Sequence, residues 1–278
     1  MSKNLITRII TAAIGAPVIL WLCYQGGRWL FGLVIVLAIL AIGEFLFHEG
    51  YKLNSFIFWL GELAIILLII SAKKRSDDIL NSIFILILFF MVSGIYISLK
   101  RGLPMPELFK RYSRLLWGIV YIGLLYPFVY WLGISLNVST FNISNGDILL
   151  WLFGLLWIGD TAAMGIGKWL GRHKLAPQAS PNKTIEGFIG GLAGALFFGI
   201  IIFFWKLNDM PLYHILMISL LCSLFGQMGD LVKSIWKRSL EIKDSSGLIP
   251  GHGGVIDRFD SLLFAAPVMY FYLAFILR

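Results

Sequence analysis

The sequence predicts an all-α polytopic membrane protein of about nine transmembrane helices. Its N-terminus is expected on the cytoplasmic side, with a polar cytoplasm-facing cavity in the C-terminal half. Three observations carry this expectation. Of 278 residues, 59% are hydrophobic and only 14% charged, whereas soluble domains carry about 25% charged residues. Apolar runs close to the roughly 20 residues needed to cross a bilayer recur along the whole chain. Lys and Arg also alternate in density between successive connections: with the N-terminus inside, Arg28, Lys73, Lys74, Arg75, Lys206 and Arg278 face outward and the other 17 of 23 face inward. Such a bias sets membrane orientation, and it accounts for the net charge of +8 without a nucleic-acid partner.

The runs fall at 5–24, 28–47, 53–71, 79–98, 114–135, 148–170, 185–205, 212–232 and 259–277. The first resembles a secretory signal, but no small-residue cleavage site followed by a polar chain comes after it, so it counts as a span. Glu44 and Glu62 lie inside the second and third. A charge at mid-helix costs about 2.5–3.5 kcal/mol on insertion scales, so both are expected to face protein, water or a cation, most simply as structural glutamates. Lys73, Lys74 and Arg75 oppose the charge rule, with Asp77 and Asp78 partly neutralising them. Residues 1–100 thus form four spans with little chemistry. Residues 101–147 form a basic connector and a fifth span, followed by a polar outer loop holding the triplet Asn142-Ile143-Ser144. Cys23 and Cys222 sit in apolar runs and read as small core residues, neither a disulfide framework nor a zinc site.

After residue 148 the chain changes character, and 148–278 reads as the catalytic region. Asp160 lies within a span, followed by Ala163, Met164, Gly167 and Gly171 at helical spacing. Small residues let helix backbones approach, so Asp160 should point into an interface or cavity. The loop Gly171–Thr184 is cationic, with Arg172, Lys174 and Lys183. Thr184 is a candidate N-cap with Glu186 in the first turn, and a helix N-terminus beside Lys183 suits phosphate. Gly187, Gly190, Gly191 and Gly194 share one helical face, expected to serve tight packing.

In the next span Gln227, Asp230, Lys233, Ser234 and Lys237 form a polar stripe, one wall of a wet cavity. The segment Ser234–Asp260 then gathers Lys237, Arg238, Lys243, Asp244, His252, Asp257, Arg258 and Asp260 around a Pro-Gly-His-Gly-Gly turn. Asp230 and Asp257 come from two spans at one membrane depth. Hard divalent cations such as Mg²⁺ take carboxylate oxygens and leave room for substrate phosphates. Phosphoryl-group chemistry then needs chiefly positioning and charge neutralisation. The basic side chains Lys183, Lys237, Arg238, Lys243 and Arg258 suit a triphosphate, and the glycine turn allows backbone to approach phosphate oxygens. For His252, proton shuttling and a structural or substrate contact both remain open.

The pattern Ser234-x2-Lys237-Arg238-x4-Lys243-Asp244-x6-Gly251-His252-Gly253-Gly254-x2-Asp257-Arg258-x-Asp260 resembles the signature of the CDP-diacylglycerol synthase (phosphatidate cytidylyltransferase) family. The blocks around Gly159-Asp160 and Ser180-Pro181-x-Lys183-Thr184-x-Glu186-Gly187 resemble it too, so the likeness covers roughly 150–278. Trp236 departs from the family pattern, which prefers a smaller apolar residue there. The resemblance implies a reaction of CTP with phosphatidic acid to give CDP-diacylglycerol and pyrophosphate, in a multi-pass homodimer of the cell membrane. It implies Mg²⁺ on Asp230 and Asp257, a second cation being left open. Catalytic roles would fall to Asp230, Asp257, Lys237 and His252. Substrate contacts would come from Asp160, Lys183, Ser234, Arg238, Lys243, Asp244, Gly253, Gly254, Arg258 and Asp260. The rival readings are a CTP-dependent lipid kinase and an ion-coupled transporter; no inverted repeat favours the latter.

Overall fold

The computed structural model describes residues 3–73, 78–99, 104–134, 143–251 and 253–276. Among these residues it forms nine α-helices: α1 Lys3–Gln25, α2 Gly27–His48, α3 Phe56–Ser71, α4 Asp78–Ser98, α5 Met105–Leu132, α6 Asn145–Trp169, α7 Ile185–Trp205, α8 Leu212–Ser239 and α9 Ile256–Phe275. Each overlaps one of the nine apolar runs. Six of them are long and apolar enough to cross a membrane, and Phe56–Ser71 and Phe84–Ser98 are shorter apolar helices. The last, α9, opens with Asp257, Arg258 and Asp260, which dilutes its apolar character. Large apolar side chains such as Ile14, Leu63, Phe197 and Phe204 are exposed on the perimeter, the outer surface expected of a lipid-facing bundle.

One element departs from the all-α expectation. Within the cationic loop, β1 Lys174–Ala176 and β2 Ser180–Thr184 pair antiparallel, Lys174 opposite Thr184 and Ala176 opposite Ser180. Pro177 and the polar turn residues allow the chain to reverse there, and the backbone groups that would otherwise go unpaired bond to each other.

Local signals account for the helix starts. Ser144 and Asp147 build a reciprocal capping box on α6, the arrangement that satisfies two orphan amides at once. Thr184 accepts from the Gly187 amide at 3.1 Å and caps α7. The glycine face of α7 packs on α6. A Cβ at Gly194 would lie 2.5 Å from Ala162 Cβ, and one at Gly190 would lie 2.7 Å from Ile166 Cδ1. Any larger side chain would push the helices apart.

Helices α6, α7, α8 and α9 form one packed group, joined to α2 and α3 through α5, while α1 lies against α6 and α2. The contacts cross the boundaries near residues 100 and 148. Trp236 explains its own departure from pattern: it is buried, its ring stacks on Phe45 at 5.1 Å, and its Nε1 donates to Glu49 at 3.4 Å. A large aromatic on α8 therefore fills the seam with α2. The segment Lys74–Asp77 and the Asn142 triplet lie, at least in part, outside the described residues.

The two ends of the bundle are distinct. At one end Arg8 Nε donates to Gly251 O at 2.8 Å and Arg114 pairs with Glu49 at 2.8 Å. Burial raises the Glu49 carboxyl above the ordinary range, and Arg114 beside it pulls it back down. At the other end Lys206 lies 3.7 Å from Asp147, and His214 Nδ1 lies 2.9 Å from the Tyr272 hydroxyl.

Candidate functional site: a carboxylate and lysine cluster where α6, α7, α8 and α9 meet

The polar stripe of α8 runs into the first turns of α9 at the Arg8 end of the bundle. Lys233, buried on α8, is the hub. Its ammonium lies 2.8 Å from Asp230 Oδ1, 2.7 Å from Asp260 Oδ2 and 3.8 Å from Asp257 Oδ1. One cation within 3.8 Å of all three acids places the carboxyls of Asp230 and Asp257 close together, as the sequence argument requires. Lys237, one turn further along α8, donates to Asp257 Oδ1 at 2.7 Å. Lys183, at the end of the hairpin, pairs with the outer oxygen of Asp230. The arrangement follows from periodicity: positions 230, 233 and 237 share a helical face, and Asp257 and Asp260 share one on α9.

Two cavities meet at this cluster. One, of about 400 Å³, is lined by Asp160, Asp230, Lys233, Lys237, Asp244, Asp257, Arg258 and Asp260 together with apolar residues of α6 and α9. The other, of about 510 Å³, lies between α6, α7 and the hairpin and is bounded by Asp160, Met164, Lys168, Asn182, Lys183, Phe188, Gln227 and Asp230. Asp160 and Asp230 belong to both walls. Together the described linings carry five acidic side chains and five basic ones, so the protein neutralises itself and leaves little positive charge to offset a triphosphate.

That balance bears on the metal expectation. Among the described residues no three His, Cys, Asp or Glu side chains converge as a chelating group. Mg²⁺ commonly takes only one or two carboxylates and completes its shell with phosphate oxygens and water. Asp230 and Asp257 are hard oxygen donors paired with the ammonium groups of Lys183, Lys233 and Lys237, so the donor set fits such an ion.

Several expected residues stand elsewhere. Arg238 is turned away: its Nε donates to Ala179 O at 3.2 Å and its Nη1 to Ile242 O at 3.4 Å, so it braces the hairpin instead of facing the cavities. Ser234 spends its hydroxyl on Asp230 O at 2.8 Å within its own helix. Lys243 is exposed on the loop after α8 and lines neither cavity. Gly254 is buried, and a Cβ there would lie 1.9 Å from Ser245 Oγ; its missing side chain makes room for Ser245 and Glu44. Gly253, with φ +87°, needs glycine at its place in the turn, as does Gly251 with φ +75°, because L residues avoid that region. His252 lies outside the described residues.

Other residues entered the site without having been singled out as candidates. Lys233 was visible in the stripe as a basic residue one turn from Asp230, but nothing in the sequence marked it as the hub. Ser245 donates its backbone N at 2.8 Å and its hydroxyl at 3.0 Å to Asp257 Oδ2. Glu44, from the distant α2, reaches the same loop.

Comparison with known proteins identifies the family. The chain matches the model of the cytidylyltransferase family over residues 6–276. It is 35% identical over 265 residues to a phosphatidate cytidylyltransferase of Staphylococcus haemolyticus (strain JCSC1435), covering 94% of this chain and 96% of the relative. It is 32% identical over 270 residues to that of Bacillus subtilis (strain 168), covering 96% and 97%. The likeness extends through the N-terminal spans, beyond the C-terminal motifs that announce it. By its sequence along nearly its whole length, the chain belongs to the cytidylyltransferase family.

Proposed function

We propose that this protein is a phosphatidate cytidylyltransferase, joining CTP and phosphatidic acid into CDP-diacylglycerol with release of pyrophosphate. The observation that carries the reading is the cluster of Asp230, Asp257 and Asp260 around Lys233, on the wall of a cavity that also presents Lys237 and Arg258. In this reaction a lipid phosphate oxygen attacks the α-phosphorus of CTP and the bond to the β-phosphate oxygen breaks. No covalent nucleophile is needed. Asp230 and Asp257 would hold Mg²⁺, which supplies charge neutralisation for the triphosphate and the departing pyrophosphate. Lys183 and Lys237 then have phosphate oxygens to meet in place of the carboxylates they pair with now. Lys233 stays buried between three acids and keeps their mutual repulsion from splaying α8 and α9. Asp160 lines both cavities, which supports a contact with either substrate.

All nine helices are proposed to span the cell membrane, with the Arg8 end in the cytoplasm, where the majority of Lys and Arg fall. A site at that end, open to both water and bilayer, lets a nucleotide and a lipid react without either crossing the membrane. A homodimer is proposed from the family. The test is pyrophosphate release by the purified protein, dependent on CTP, phosphatidate and Mg²⁺ together. Release of CDP in its place would mark a CTP-dependent lipid kinase and overturn the reading.

A further inference from the structure

Glu44 lies near the end of α2, in the part of the chain where the sequence showed little chemistry. The residue is nonetheless only 4% exposed, and four donors meet its carboxylate, one of them shared with Asp257. Two come from the start of α9, from Val255 N at 2.8 Å and Ile256 N at 3.1 Å. Helix-start amides lack partners of their own and attract negative charge, so α2 supplies the cap that α9 does not carry itself. The other two come from the hydroxyls of Ser245 and Ser246. Gly254 permits the approach, since a Cβ there would lie 2.6 Å from Glu44 Oε2.

The Ser245 hydroxyl has one proton and two carboxylates beside it, Glu44 Oε2 at 3.2 Å and Asp257 Oδ2 at 3.0 Å. Its backbone amide fixes the same Asp257 oxygen. Oδ2 is thereby committed to the loop, and Oδ1 is left to Lys237 and Lys233 at the cavity wall. Resting on the cytidylyltransferase reading above, we infer that Glu44 is a positioning residue for Asp257, acting through Ser245 and the first turn of α9.

The experiment uses the full-length protein in lipid or detergent, comparing wild type, Glu44→Gln, Ser245→Ala and the double variant. Glu44→Gln keeps the shape but replaces one acceptor oxygen by a donor. The expected result is a kcat lowered about 10- to 100-fold, the range for partners that orient metal-binding carboxylates, with KM for phosphatidate little changed. Ser245→Ala should give a similar loss, and the double variant should be no worse than the poorer single one, because the residues act in series. Amide hydrogen exchange should quicken across residues 244–257 in Glu44→Gln and stay unchanged in α3 to α5. Wild-type kcat in Glu44→Gln, losses that multiply in the double variant, or unaltered exchange at 244–257 would each overturn the inference. Should Glu44→Gln exchange fast throughout, as an unfolded chain does, Glu44→Asp takes its place, since it keeps the charge but draws the carboxylate back from Ser245 and α9: a folded variant with lowered kcat supports the inference and one with wild-type kcat overturns it. A wild-type protein inert toward CTP and phosphatidate would sink the functional reading, while the exchange comparison would still decide the role of Glu44.

Discussion

Asp257 binds on both sides: Oδ1 takes Lys237 at 2.7 Å and Oδ2 takes the Ser245 amide at 2.8 Å. Asparagine preserves the shape but removes the charge and turns one oxygen into a donor facing donors. Asp257→Asn is therefore expected to lose on the order of 10²–10³ in kcat, the scale for removing one preorganised electrostatic partner, while still inserting and folding. Near-normal turnover at saturating Mg²⁺ would remove Asp257 from the proposed metal site. Lys237→Ala should raise KM for CTP or lower kcat, since its ammonium is held within the cavity wall; unchanged kinetics would return it to a bracing role. The acidic residues of the site were legible in the sequence because carboxylates in apolar helices stand out. Lys233 and Ser245 were not, because a lysine at a helix end and a serine in a loop are common, and only the fold tells which of them meets a carboxylate.

At the scale of elements, α6 and α7 depend on contact between small residues. Gly194→Leu would drive a side chain into Ala162 Cβ and Ile158 O. Overpacking of this kind costs about 1–3 kcal/mol, so a lower thermal transition is expected, with the folded fraction retaining its KM for CTP. A thermal midpoint equal to wild type would show that the helices are not in contact there. The helices themselves were readable from hydropathy, and the start of α7 from Thr184 and its glycine face. The hairpin 174–184 was not readable, since three- and five-residue strands rich in Lys, Pro and Asn carry no alternating pattern. The direction of Arg238 was hidden for a related reason: adjacency to Lys237 in sequence still places it some 100° around the helix, toward Ala179 O of the hairpin.

For the whole molecule, charge asymmetry predicts orientation, and cysteine labelling tests it. Cys23 and Cys222 are fully buried, so they should contribute little background. With an impermeant maleimide on sealed cells, Asp209→Cys should label from outside and Lys243→Cys only after permeabilisation. Labelling of both from one side would break the proposed topology. The nine helices among the described residues were legible in the chain; how they close around the candidate site was not. Hydropathy reports that a segment lies in the bilayer but says nothing of its neighbours, so the bond from α2 to α9 had no trace in periodicity.

The contacts of α1 with the turn before α9 carry a consequence for biogenesis. Arg8 and Thr11 donate to Gly251 O and Pro250 O, joining α1 to a turn that lies 243 residues further along the chain at Gly251. A ribosome releases these partners far apart in time. A chain synthesised only as far as α8 lacks both this contact and the carboxylates of Asp257 and Asp260, so the candidate site closes only once α9 has joined the bundle.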